Sequence, residues 1–152
     1  FLLKTNYLNP NSSLKSMKNY EFLEHTADEK FRAYGKTLEE AFINAALATA
    51  KIMTDDKVKP TIEKKIEIKV NTKEKLLYQF LEELLFYVDT EGFILSEVKD
   101  LEIKDNFTLT ATFLGDSAED YEIKAHIKAI TYNDMFIKEE ENLVTIQVVH
   151  DL

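Results

Sequence analysis

No cysteine occurs among the 152 residues, which removes disulfides, zinc fingers, iron–sulfur clusters and thiol nucleophiles together. Any metal must therefore be held by oxygen or imidazole. A chain without thiols is compatible with a reducing cytoplasm, the expected location. Glycine is nearly as scarce. The three glycines stand far apart, at 35, 92 and 115, so they read as turn residues and build no phosphate-cradling loop. No Gly-x-Ser-x-Gly elbow or kinase-type set is present. No apolar run approaches the roughly 20 residues of a membrane helix, and the opening "FLL" is too short for a signal-peptide core. No membrane partner is expected.

Basic blocks are missing too. Asp and Glu number 28 against 19 Lys and Arg, for a formal charge of −9, and the lysines are dispersed. A broad basic face for phosphate backbones is excluded, and direct nucleic-acid binding is not expected.

The length suits one domain with a real core. Met17 followed by "KNYEF" looks like a natural start. Residues 1–16, with Pro10 among Asn and Ser, are expected to be a flexible extension, either foreign to the natural chain or an extended start. Residues 17–152 form the expected single domain. "EKFRAYG" reads as a strand with Phe31 and Ala33 on one face. Thr37 and Glu40 have capping-box spacing ahead of an apolar stripe running from Leu38 to Met53. Ile66, Ile68 and Val70 alternate with charge, as in a half-buried strand. A second helix is predicted from Asn71 as cap, with Leu77, Phe80, Leu81, Leu84, Leu85 and Val88 inward and Gly92 closing it. From residue 93 onward the pattern is β, including alternation over Phe107–Phe113, Tyr121–Ala129 and Val144–Val148. The predicted fold is α+β: a two-layer domain, two helices packed on a mostly antiparallel sheet, in the order βαβα and then four or five strands.

Chemistry-bearing residues are few. Histidines stand at 25, 126 and 150, with no serine placed to suggest a triad. His126 lies on the polar parity of its stretch and reads as a solvated side chain. Two short stretches are more suggestive. The chain closes on "VVHDL", setting Asp151 beside the α-carboxylate of Leu152, and "EHTADEK" places Asp28 in a loop entering the first strand. Thr26 and Asp28 also fit a plain turn. If the last strand is docked, however, its two anions are held together, and like charges in a low dielectric repel unless a cation joins them. With Asp28 they make an all-oxygen set suited to calcium first, with magnesium or manganese also suitable. His25 or His150 would line such a site or hydrogen-bond a ligand.

These stretches also carry a family resemblance. "YEFLEHTADEKFRAYGKTLEEAF" at 20–42, "LLYQFLEELLFYVDTEGF" at 76–93, "IKAITYNDM" at 127–135 and the ending "QVVHDL" resemble archease, over residues 20–152. The resemblance implies a non-catalytic activator of the GTP- and manganese-dependent tRNA-splicing RNA ligase, one that promotes ligase guanylylation and multiple turnover. It implies a metal site on Asp28, Asp151 and the main chain of Leu152. Lys128 and Tyr132 are further candidates for partner contact. Asn133 stands where family members commonly have His, so that histidine's role does not carry over. Two alternatives stay open: a chaperone-like binding module for a tRNA-modifying methyltransferase, and a small metal-dependent hydrolase.

Overall fold

The computed structural model describes residues 18–23 and 28–152. The expected extension over 1–16 and the candidate His25 lie outside them. Strand β1 (Tyr20–Leu23) pairs with β2 (Glu29–Gly35), which leads into helix α1 (Leu38–Met53). Strand β3 (Ile62–Lys69) and helix α2 (Lys73–Glu91) follow, then β4 (Phe93–Lys104), β5 (Thr108–Ser117), β6 (Ala129–Glu140) and β7 (Leu143–Asp151). The α+β class and the antiparallel pairing match the expectation. Two details differ. The strands form two sheets rather than one, ordered β1-β2-β7-β6 and β3-β5-β4. In addition, the short β1 precedes the predicted first strand.

Both helices pack against both sheets. Helix α1 lies on β2 and β7 of the first and on β4 of the second, while α2 touches β6, β4 and β3. Their apolar stripes therefore merge into one core, with Phe31, Phe42, Phe80 and Phe113 fully buried. Phe80 bridges the rings of Phe42 and Phe113 at 5.6 Å each, joining helix α1 to the second sheet through α2. At ordinary transfer values each such ring contributes about 2–3 kcal/mol of burial.

Local signals explain the boundaries. Thr37 caps α1 by accepting from the Glu40 N–H at 3.1 Å, and the Glu40 carboxylate reaches back to the Lys36 N–H at 2.6 Å. The reciprocal bond thus falls one residue before the cap. Gly35 ends β2 directly under this turn, where a Cβ would sit 2.4 Å from the Ala41 nitrogen. Helix α2 ends at Gly92 in the left-handed region, φ 60°, as expected of that position. Its start is corrected: the cap is Thr72, whose hydroxyl accepts from the Lys75 N–H at 3.1 Å, not Asn71.

The alternating stretch 121–129 is also corrected. Its inward parity is covered and Ile127 is buried, yet paired β structure begins only at Ala129. The backbone is extended but uses scattered partners. Glu122 N–H donates to the Asp56 carboxylate at 2.9 Å and Lys124 N–H to the Met53 carbonyl at 2.8 Å. Alternation reports one-sided burial, which a strap across a surface shares with a strand.

The cap assignment is testable by chemical denaturation. Thr72→Ala should cost about 1 kcal/mol, the usual loss of an N-cap oxygen. Asn71→Ala should cost no more than a few tenths. The reverse ranking would return the cap to Asn71.

Candidate functional site

The first sheet brings the separated stretches together. In the β2–β7 ladder Phe31 faces Val148 and Glu29 faces His150. Asp28 directly precedes Glu29 and Asp151 directly follows His150, so the two carboxylates flank the terminal pair of the ladder. Asp28 is half-buried and Asp151 exposed. On the other side of β7, Ala129 faces Asp151, and the Lys128 N–H donates to the Asp151 carbonyl at 2.7 Å. The side chain of Leu152 packs, partly buried, against the core. The chain is therefore held through its last residues, and the main-chain oxygens of Leu152 follow directly on Asp151.

This donor set consists of oxygens only, which fits a hard divalent cation and not a soft one. Among the described residues no group of three or more His, Cys, Asp and Glu side chains is arranged to hold a metal. The expected set of Asp28, Asp151 and the Leu152 main chain offers two carboxylate side chains, one fewer than such a group has.

His150 does not line it. The ring turns inward, fully buried, with Nε2 at 2.9 Å from Thr49 Oγ1 and its face against Phe31 at 5.3 Å. The Thr49 hydroxyl also stands 2.9 Å from the Ala45 carbonyl. Which of Nε2 and the Thr49 hydroxyl donates depends on the imidazole tautomer, and Nδ1 is buried with no side-chain partner among the described residues. Burial pushes the imidazole down to about 3. It is a neutral structural link between β7 and α1, set there because His150 has the inward parity of Val148 and Ile146.

Lys128 and Tyr132 separate. Lys128 is exposed at the carboxylate end, just before β6. Tyr132 lies in a bulge of β6. From Thr131/Val149 to Phe136/Gln147, β6 advances five residues while β7 moves two. The bulge is pinned on its inner side. Gln147 Nε2 donates to the Asp134 carbonyl at 2.8 Å, Lys30 pairs with the Asp134 carboxylate at 3.5 Å, and Asp134 adopts φ 54°. Arg32 completes the patch, donating to Gln147 Oε1 at 3.0 Å with its guanidinium 5.6 Å from the Phe136 ring centre. Sequence reasoning passed over this cluster. Its only signal was the charge of Lys30 and Arg32 on the outward parity of β2. Pushed out of the ladder, Tyr132 is 51% exposed and stacks on Tyr78 of α2, ring centres 4.4 Å apart and planes within 9°. Asn133 is exposed beside it.

Residues 20–152 match the Archease protein family. Protein archease of Methanothermobacter thermautotrophicus is 42% identical over 140 residues, covering 90% of this chain and all of that protein. Protein archease of Sulfurisphaera tokodaii is 37% identical over 139 residues, again covering 90% and 100%. Among solved structures, Methanobacterium thermoautotrophicum protein 1598 superposes with a TM-score of 0.75 at 40% identity, over 90% of this chain and 100% of that one. The crystal structure of a Thermotoga maritima archease, described as a possible chaperone, shares the fold at a TM-score of 0.59 and 20% identity, covering 86% and 94%.

A pH prediction follows from His150. Its proton affinity is depressed in the fold, so below the unfolded pKa of about 6.5 the unfolded chain binds a proton that the folded chain refuses. Stability should therefore fall as pH drops from about 6.5 toward 3, at up to about 1 kcal/mol per pH unit from this group. Denaturation at pH 4, 5, 6 and 7 should show a shallower decline in His150→Leu. Equal slopes in the two proteins would refute the assignment.

Proposed function

The chain belongs to the archease family, and on that premise we propose that it is a non-catalytic cytoplasmic activator of the GTP- and manganese-dependent tRNA-splicing RNA ligase. In this reading it promotes ligase guanylylation and repeated turnover through a metal, calcium before magnesium or manganese, held by Asp28, Asp151 and the main chain of Leu152. The observation that carries the proposal is the β2–β7 ladder, whose terminal pair, Glu29 and His150, is flanked in sequence by Asp28 and Asp151. The arrangement suits residues kept to bind a cation at an accessible edge.

When bound, such an ion supplies fixed positive charge near phosphate oxygens. The chain's own contribution is to present it. Strand β7 carries Asp151 to the rim, the Lys128 N–H holds its carbonyl, and the Leu152 side chain anchors the main chain beyond. The exposed ammonium of Lys128 stands at the same end, suited to a phosphate or an acidic partner group. A net charge of −9 favours docking on a basic enzyme surface rather than on RNA. The chaperone-like reading, toward a tRNA-modifying methyltransferase, is the alternative. It predicts suppressed aggregation of that enzyme and no effect on guanylylation.

The test is single-turnover guanylylation of the cognate ligase, alone, with the full chain, with Asp28→Ala or Asp151→Ala, and with a form lacking Asp151 and Leu152. The full chain should accelerate the step at least tenfold. The altered forms, folded by circular dichroism, should give no more than the ligase's own rate and should lose calcium binding by calorimetry. Full activity in the altered forms would discard the carboxylate site. No acceleration by any form would discard the activator reading.

A further inference from the structure

Two large hydrophobic side chains are exposed among the described residues, Phe86 at 54% and Tyr132 at 51%, and both stand along the outer side of α2. The buried residues of this helix are Leu76, Leu77, Phe80, Leu81, Leu84 and Leu85. At 100° per residue, Glu82, Phe86 and Asp89 lie in one stripe on the side away from them, with Tyr78 at its flank, partly buried against the core. Tyr78 and Phe86 are eight residues apart, about 12 Å along the axis. The bulge of β6 adds Tyr132 to the N-terminal end of that stripe, its inner ring face stacked on Tyr78 and its outer face open.

Among the described residues the one ring neighbour of Phe86 is the adjacent Tyr87, at 5.5 Å and edge-on. Charge on this side is mostly negative. Glu82 lies close enough to Tyr78 to help burial raise the phenol above its ordinary range, and Asp89 is exposed one turn beyond Phe86. Nearby cations are engaged elsewhere: Lys73 with Glu139, and Lys64 with Glu91. Among the described residues of α2, Lys75 is the one cation on the stripe's own side, at its beginning.

We propose that this face is a second docking surface, occupied by an arginine-bearing segment of the partner ligase. One guanidinium stacks on the open face of Tyr132 and forks onto Glu82, and an apolar side chain about 12 Å away covers Phe86. Arginine fits better than lysine because its planar cation matches both a phenol face and a carboxylate. Nucleic-acid bases would also stack on Tyr132, but their phosphates would meet Glu82 and Asp89. The bulge of β6 joins this face to the carboxylate end, since Tyr132 lies three residues beyond Ala129, the pairing partner of Asp151. The identity of the partner rests on the function proposed above. The chemistry of the face does not.

Binding of the wild type, Phe86→Ser, Glu82→Arg and Asp151→Ala to the ligase should be measured by interferometry. Glu67→Arg, the same charge change on the exposed side of β3, serves as control. Phe86→Ser and Glu82→Arg should each raise Kd about tenfold or more, as central contacts do, while Glu67→Arg stays within about twofold of wild type. Wild-type affinity in Phe86→Ser and Glu82→Arg would overturn the proposal. So would an equal loss in Glu67→Arg, which would make the effect one of net charge. If the wild type does not bind the ligase, the function reading fails and a second probe judges the face alone. Titration with N-acetyl-arginine amide should shift the NMR signals of Tyr78, Glu82 and Tyr132 more than N-acetyl-lysine amide does, whereas equal or absent shifts overturn it. Sedimentation must also show a monomer. A dimer dissociated by Phe86→Ser would assign the face to a second copy and overturn the ligase assignment.

Discussion

The pairing of β2 with β7 is the constraint on which the rest depends. It joins an early strand to the last one, seven pairs long from Glu29/His150 to Gly35/Val144, at the centre of a four-stranded sheet. Its inward parity gives the core Phe31, Ala33, Ile146 and Val148, and it seats His150 against Thr49. Its outward parity sets Arg32 beside Gln147, and Asp28 and Asp151 flank its terminal pair. Because side-chain direction repeats every two residues, a slip of one residue would exchange the two sets. If β7 slipped, His150, Ile146 and Val148 would leave the core face and the Asp151 carboxylate would turn toward it. Register at this ladder is therefore enforced by burial, and the carboxylate end inherits that precision without contributing to it.

The buried His150 shows how closely structural and functional roles can adjoin. Asp151 belongs to the rim and His150 to the core, and one peptide bond separates them. A neutral imidazole in an apolar site costs stability when the medium turns acid. In return, its hydrogen bond ties the end of β7 to the middle of α1, the helix that backs the sheet. The end of β7 that carries Asp151 is thus fastened from beneath.

The bulge in β6 has a comparable part at the other side of the sheet. It interrupts pairing for the residues between Thr131 and Phe136, leaves an irregular edge unsuited to strand addition, and swings Tyr132 out to α2. The three aromatic residues of the outer face, Tyr78, Phe86 and Tyr132, thus come from a helix and from a strand defect. Family membership, established over residues 20–152, accounts for the fold. It leaves open what that exposed face does.

Much of this was legible in the residues alone. The strand 29–35, the capping box at Thr37 and Glu40, both helical stripes and the role of Gly92 followed from spacing, because local patterns of burial and backbone stereochemistry act within a few residues. Asp28 and Asp151 were picked out by charge and by position in the chain. Tertiary structure decided what spacing does not encode: that alternation over 121–129 belongs to a strap, that the strands divide into two sheets, that His150 turns inward, and that Tyr132 leaves its ladder. Each of these depends on which backbone group or apolar face lies across from a residue. That neighbour is supplied by chain far away in sequence, as Thr49 is for His150 and Tyr78 is for Tyr132.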